Sequence, residues 1–476
     1  MARSEYDAVI VGAGPNGLSA AIELGRAGLS TLVVEAGETP GGGCRSGERT
    51  LPGFIHDHCA AVHPLGASST FFRSLGLERH GLEWIESPAL LAHVVDEHTV
   101  LTLERTLDAA EARFGRDGRA YRALVEPFVE RWDELYPMVL GPLRFPARPL
   151  LMGRFGLKAL RSMRGLARSH FTQEPVRALL AGISAHSMVP LDALATASFA
   201  LVLAIAGHTA GWPIARGGSQ AITSALVAVL REHGGELELG HTVTDIAELP
   251  RARAYLFDIT PRQLLAIAGD RLPAAYRRRL AAFRYGPGVY KLDWALRGPI
   301  PWRDPACARA TTVHLSGTFD DIEAANRAVH AGTISDKPFV LLAQPSLFDP
   351  TRAPAGMHTA WAYCHVPHGS TIDASAAIEG HIERYAPGFR DLVLARATRN
   401  AVEMERHNPN YVGGDINGGF AELSQLFFRP VARVDPYATP APDIFLCSSS
   451  TPPGGAVHGM CGYWASQSVL RRVFGR

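Results

Sequence analysis

The chain has 476 residues, 47 basic against 46 acidic side chains, and a net charge of +1. That length supports two substantial cores, and the near-neutral balance argues against a nucleic-acid partner. Six cysteines stand without any C-x-x-C spacing, so neither a zinc ribbon nor a redox disulfide of standard form is expected.

Residues 6–11 are apolar and rich in β-branched side chains, the pattern of a strand buried on both faces. Gly12, Ala13, Gly14, Pro15, Asn16 and Gly17 follow at once, and 18–27 reads as a helix. A second strand over 30–34 closes on Glu35 and Ala36, the acid lying about 20 residues past the glycines, as a dinucleotide fingerprint requires. Gly12 permits the tight turn, Gly14 lets backbone approach a pyrophosphate, and Gly17 lets helix and strand pack closely. The helix start attracts phosphate, and Glu35 can accept from ribose hydroxyls. Gly42, Gly43, Cys44 and Arg45 come next, a second glycine pair followed by a cation.

The segment HDHCAAVHPLG at 56–66 crowds His56, Asp57, His58, Cys59 and His63 together. Its spacing fits no standard zinc pattern, so no metal is expected; His63 either packs in a loop or faces substrate. Residues 106–140 read as helix, break, helix, with the break at Asp117 or Gly118. Between 148 and 171, Arg148, Arg154, Lys158, Arg161, Arg164 and Arg168 alternate with Leu157, Leu160, Met163 and Leu166. The expectation is one basic amphipathic helix, either a solvated cap or a membrane-surface contact. The longest apolar run, 197–207, is too short to cross a bilayer, and no secretory leader is visible. A cytoplasmic protein is the expectation, with the 148–171 segment as its place of contact if it is peripheral to a membrane.

Beyond 212 come a glycine loop, an amphipathic helix and a strand over 236–246 containing Val243. A strand over 252–259 leads to a helix with Thr260 as N-cap and Pro261 in its first turn. VYKLDWAL carries Lys291 within a strand, where it either meets a cofactor or pairs with Asp293. Residues 444–447 form a last strand, then a Pro-Gly-Gly loop and a terminal helix. His458 in that loop is a candidate proton shuttle, although backbone N–H groups at 457–460 serve the same place.

These features resemble the phytoene desaturase and carotenoid isomerase branch of the amine oxidase superfamily, including its phytoene dehydrogenase-like members. The residues that carry the resemblance are the fingerprint Gly12–Gly17, GGGCRS, PIARGGSQAI, VYKLDWAL, GGDINGG, QLFFRPV and STPPGGAVHGMCG. Cys44 interrupts the Gly-Gly-Arg of carotenoid desaturases, which counts against phytoene itself as substrate.

The resemblance implies non-covalent FAD on an α/β fold: a discontinuous Rossmann-type domain (1–95, 212–295 and 430–476) with an inserted α+β substrate domain (96–211 and 296–429). It places Ala60, Ala61 and Val62 along the flavin ring, Val243 at the adenine, and Gly455, Val457, His458, Gly459 and Met460 at the pyrimidine edge. The expected reaction is dehydrogenation of a hydrophobic small molecule, with oxygen or a quinone taking the electrons, since no second nucleotide fingerprint exists. A redox-neutral isomerase, an amine or amino-acid oxidase and a non-catalytic flavoprotein are the alternatives. The oligomeric state is left open.

Overall fold

The computed structural model describes residues 5–476. Glu5–Val11 is the middle strand of a five-stranded parallel sheet. The order is Ile444–Leu446, Arg251–Phe257, Glu5–Val11, Thr31–Val34, Glu236–Glu238. Ala8 and Ile10 pack into one core with helices Pro15–Arg26, Gln220–Glu232 and Met460–Val473. Val9 and Val11 pack on the opposite side with Leu264, Tyr276 and Leu280 of two further helices. Burial on both faces is why the strand is apolar without alternation.

Glycines set the spacing at the head of this sheet. A Cβ on Gly17 would lie 2.0 Å from the Gly12 carbonyl oxygen, and one on Gly462 would lie 1.8 Å from that of Asn16. The first and last helices therefore meet through backbone at their N-terminal ends. Thr260 caps its helix as expected, in a reciprocal box with Gln263.

The strand expected over 236–246 stops at Glu238. Gly240 turns at φ +70°, and the His241 N–H returns to the Glu35 carbonyl at 3.0 Å. Val243 is thereby delivered to the core beside Val34 and Ile246.

A seven-stranded sheet forms the second body, in the order Val393–Arg399, Gly288–Leu296, His358–Val366, Val340–Ala343, Ala310–Leu315, Ala89–Val94, Val100–Glu104. All pairs are antiparallel except Ala310–Leu315 with Ala89–Val94. Two of its strands, Ala89–Val94 and Gly288–Leu296, come from residues that the sequence division gives to the nucleotide-binding body. Pairing, which sequence pattern does not reveal, sets their membership.

Helices between 107 and 210 cover the second sheet and the cavity below it. The break near 117 is real: Leu107–Arg113 and Gly118–Val129 flank a single tight turn. The buried Asp117 carboxylate there accepts the Thr172 and Gln173 N–H groups at 2.8 and 2.7 Å. The single helix expected over 148–171 is instead two, Pro149–Ala159 and Met163–His170. Ser162 caps the second by accepting the Gly165 N–H, the kind of cap that stops one helix and starts another. Its apolar positions divide accordingly. Leu157 and Leu160 are exposed, whereas Met163 and Leu166 are buried. Among the described residues no helix is long and apolar enough to cross a membrane.

Candidate active site

One cavity of about 930 Å³ runs from the glycine loop to the cap helices. Gly14, Pro15, Asn16, Gly42, Gly43 and Cys44 line its inner end. Ala60, Ala61, Val62 and His63 form one wall, and Gly455 and Val457 of the last loop another. Phe155, Val202 and Leu203 roof it, and Trp361 and Tyr363 rise from the second sheet. Ala456, between the two lining residues of the last loop, holds φ +103°, a conformation that costs a non-glycine residue about 1–3 kcal/mol and collects at functional loops.

The remaining residues of the sequence reading lie around this cavity rather than on its wall. Glu35 accepts the Ala13 N–H at 2.7 Å and the Gly37 N–H at 2.8 Å, so its carboxylate is oriented beside the turn. Arg45 donates to the Gly42 carbonyl at 3.1 Å and has no carboxylate partner among the described residues. Asp258, which the sequence reading did not single out and which does line the cavity, accepts the Gly17 N–H at 2.9 Å. Burial, with Glu35 adding to it, pushes the Asp258 carboxyl well above the usual carboxylate range. These features fit a dinucleotide: a helix start with open backbone at Gly14, Pro15 and Asn16, and an arginine not committed to another acid. Gly12 and Gly17 shape the turn, Val243 lies in the neighbouring core and Ala36 is exposed beyond Glu35; none of the four lines the cavity.

His63 is fully buried. Ser219 Oγ gives its proton to the Ala60 carbonyl at 2.6 Å and so accepts from His63 Nε2 at 2.9 Å. This fixes the neutral tautomer, and burial pushes the imidazole down to about 4. His458 is equally buried but does not line the cavity. Its Nδ1 accepts the Met460 N–H at 3.0 Å, which holds the start of the terminal helix behind Gly459. Lys291 donates to Asp293, and its Nζ lies 5.1 Å from the Trp361 ring centroid. The tryptophan, not the lysine, presents to the cavity. Burial lowers the Lys291 ammonium, and Asp293 partly offsets this.

The 56–63 cluster disperses on folding. His56 bonds Thr50, Asp57 pairs with Arg352, and the His58 ring stands against that of His407. Among the described residues no three His, Cys, Asp or Glu side chains gather as a metal site.

Sequence reasoning missed two groups. Trp361 and Tyr363 alternate on the strand His358–Val366 and stack at 5.9 Å and 16°; their period of two was legible but equally suits an ordinary core strand. His186 lines the cavity from the turn after helix Glu174–Ser184 and bonds His314. Nothing near it in the sequence marks it.

A model of NAD(P)-binding Rossmann-like domains matches residues 10–75. The chain is 26% identical to the rat pyridine nucleotide-disulfide oxidoreductase domain-containing protein 2, over 98% of this chain and 94% of that protein. It is 27% identical to phytoene dehydrogenase of Streptomyces griseus, over 82% of this chain and 78% of that one. Cyclohexylamine oxidase from Brevibacterium oxydans shares the fold at a TM-score of 0.60 and 16% identity, covering 99% of this chain and all of that one (100%). The chain is an FAD-dependent oxidoreductase related in sequence to phytoene dehydrogenase, and it shares its fold with amine oxidases. Its Rossmann-type body is the FAD-binding domain, and the second sheet with its helical cap is the substrate-binding region.

Proposed function

We infer that this oxidoreductase dehydrogenates a hydrophobic small molecule held between the flavin and the helical cap. One observation carries the reading: the cavity passes without interruption from the glycine loop to a wall of apolar and aromatic side chains. In this reading Gly14, Pro15, Asn16, Gly42, Gly43 and Arg45 hold the diphosphate, and Glu35 takes the ribose. Ala60, Ala61, Val62, Gly455 and Val457 flank the ring. FAD, when bound, supplies the hydride acceptor. The chain positions substrate, excludes water and fixes the hydrogen-bonding state of the walls. His63, with its tautomer set by Ser219, presents no ionic charge to substrate at neutral pH. His458 and Lys291 act behind the wall, as supports for the terminal helix and for Trp361.

Oxidation of an amine is a second reading, favoured by the stacked Trp361–Tyr363 pair, since aromatic faces accept cationic and N–H groups. Anaerobic mixing of the flavin-loaded protein with hydrophobic polyenes, alcohols and amines tests both. Bleaching of the flavin by one class assigns the substrate; bleaching by none in an intact holoprotein rejects catalysis of this type. Reoxidation of the reduced flavin within seconds in aerated buffer points to oxygen as acceptor. Reoxidation over many minutes, hastened by a quinone, points to the quinone.

The mouth of the cavity supports entry from a membrane surface. Leu143 and Leu160 line it, and Phe145, Leu150 and Leu157 stand exposed beside it. Arg154, Lys158 and Arg168 lie on the same two helices with no carboxylate partner among the described residues. Arg148 and Arg164, by contrast, pair with Glu134 and Glu323. Exposed apolar side chains ringed by unpaired cations suit an anionic bilayer. The expected result is co-flotation with vesicles containing anionic lipid, reduced by at least about tenfold in Leu150→Ser/Leu157→Ser, because two large apolar anchors are lost. Equal flotation of the variant, or none by the native protein, rejects this surface.

A further inference from the structure

Two stretches of the sequence that neither the cofactor nor the substrate reading uses, GGDINGG and QLFFRPV, meet on the wall of the cavity, and the second brings a cation to it. Among the described residues that line the cavity, Arg429 is the one arginine or lysine, and Asp258, at the glycine loop, is the one carboxylate. Arg429 is only 2% exposed. Its Nε donates to the Gln425 carbonyl at 2.9 Å and its Nη1 to the Ser449 carbonyl at 3.1 Å. Among the described residues its Nη2 has no hydrogen-bond partner, and the guanidinium makes no ion pair. Two carbonyls hold the group in place without cancelling its charge.

Asp415 of GGDINGG is the acid that most favours the charged form of Arg429, against the effect of burial. Its carboxylate is already taken by backbone. Oδ2 accepts the Gly286 and Gly419 N–H groups at 2.7 and 3.0 Å, and Oδ1 accepts the Asn417 N–H at 2.7 Å. Asp415 thus closes its own loop and leaves the guanidinium without a contacting anion, a costly state for a buried charge. The position of the cation is equally specific. A Cβ on Gly454 would lie 2.9 Å from Nη1, so the guanidinium rests on the loop whose Gly455 and Val457 flank the ring in the reading above. Leu426, Phe427 and Phe428 precede it on the wall. An apolar surface therefore ends in a fork of N–H donors beside the reacting centre.

We propose that Arg429 binds a carboxylate of the substrate, which is then a hydrophobic acid: an apolar chain or ring along the cap and aromatic walls, with its anionic end at the guanidinium. Carboxylate geometry matches the planar fork, and the charge-assisted bonds supply the anion that the protein itself does not. A pure hydrocarbon leaves that charge unmet. The inference rests on the cavity being the substrate site, and it names the substrate class within that reading.

The test uses a chain-matched pair of probes, decanoate and 1-decanol, titrated at neutral pH into the flavin-loaded protein while the visible flavin spectrum is followed. The native protein is expected to bind decanoate at least about tenfold more tightly than decanol, the contribution of hydrogen bonds between charged partners. Equal or tighter binding of decanol overturns the proposal, and that arm needs no variant to fold. Arg429→Met should erase the preference while decanol affinity stays within about threefold, since the apolar wall remains. Arg429→Lys keeps the charge for folding but loses the fork, and should cut the preference at least about threefold. A preference unchanged in either variant assigns it to the cations at the mouth and overturns the proposal. Loss of FAD from a folded Arg429→Met protein assigns the guanidinium to the cofactor and overturns it too. If neither probe perturbs the flavin of an intact holoprotein, the cavity reading itself fails, an outcome distinct from equal binding of the two.

Discussion

Lowering the pH from 7 is expected to unfold this protein near pH 5, before its carboxylates titrate. Seven histidines, the buried His56, His63, His93, His381 and His458 and the half-buried His186 and His208, have their imidazoles pushed down to about 4, chiefly by burial. In the unfolded chain each protonates below its ordinary value of about 6.5. Each folded-state value is depressed, so between these limits the unfolded state binds more protons. Stability is then full above about pH 6.5 and falls as pH drops toward 4. One histidine displaced by about 2.5 units contributes roughly 3 kcal/mol of loss by pH 4. A folded domain holds only about 5–15 kcal/mol in total, so a few such groups suffice. Far-UV circular dichroism and release of flavin fluorescence should show one transition between about pH 6 and 4. A protein still folded and flavin-bound at pH 4 would contradict neutral burial of these rings.

The nucleotide half of the molecule was legible because its chemistry is local. Gly12, Gly14, Gly17 and Glu35 act within one strand–turn–helix–strand unit, and the spacing itself states the constraint. The substrate half was not legible in the same way. The VYKLDWAL strand was read correctly, but which residue meets the cavity depends on the neighbouring strand, where Trp361 stands between Lys291 and the open space. His458 looked free in the sequence and is spent on the Met460 N–H. His186 has no local mark because its partner, His314, lies more than a hundred positions away in the chain. The basic stretch at 148–171 kept helical spacing on both sides of Ser162, so periodicity ran through a boundary that only the cap reveals.

The second large effect is expected at Asp57, which folding pairs with an arginine far along the chain. Asp57 and Arg352 are both fully buried and paired. Asp57 also accepts from Ser46 Oγ at 2.7 Å and from the Ser219 N–H at 2.8 Å. Burial alone would raise its carboxyl, but Arg352 and these donors hold it below the ordinary range. The pair therefore joins the second glycine loop, through Ser46, to the turn that orients His63, through Ser219. Asp57→Ala leaves Arg352 with only Asp349, at 3.8 Å. Breaking a buried pair on one side costs about 3–5 kcal/mol, because a charge stays buried without its partner. A large fall in thermal midpoint, with earlier loss of flavin, is expected. Adding Arg352→Met should recover most of that loss, since the uncompensated charge goes with the arginine. If the double variant is no more stable than Asp57→Ala, the loss lies in the Ser46 and Ser219 hydrogen bonds instead. The coupling between loop and turn would then run through those two serines rather than through the ion pair.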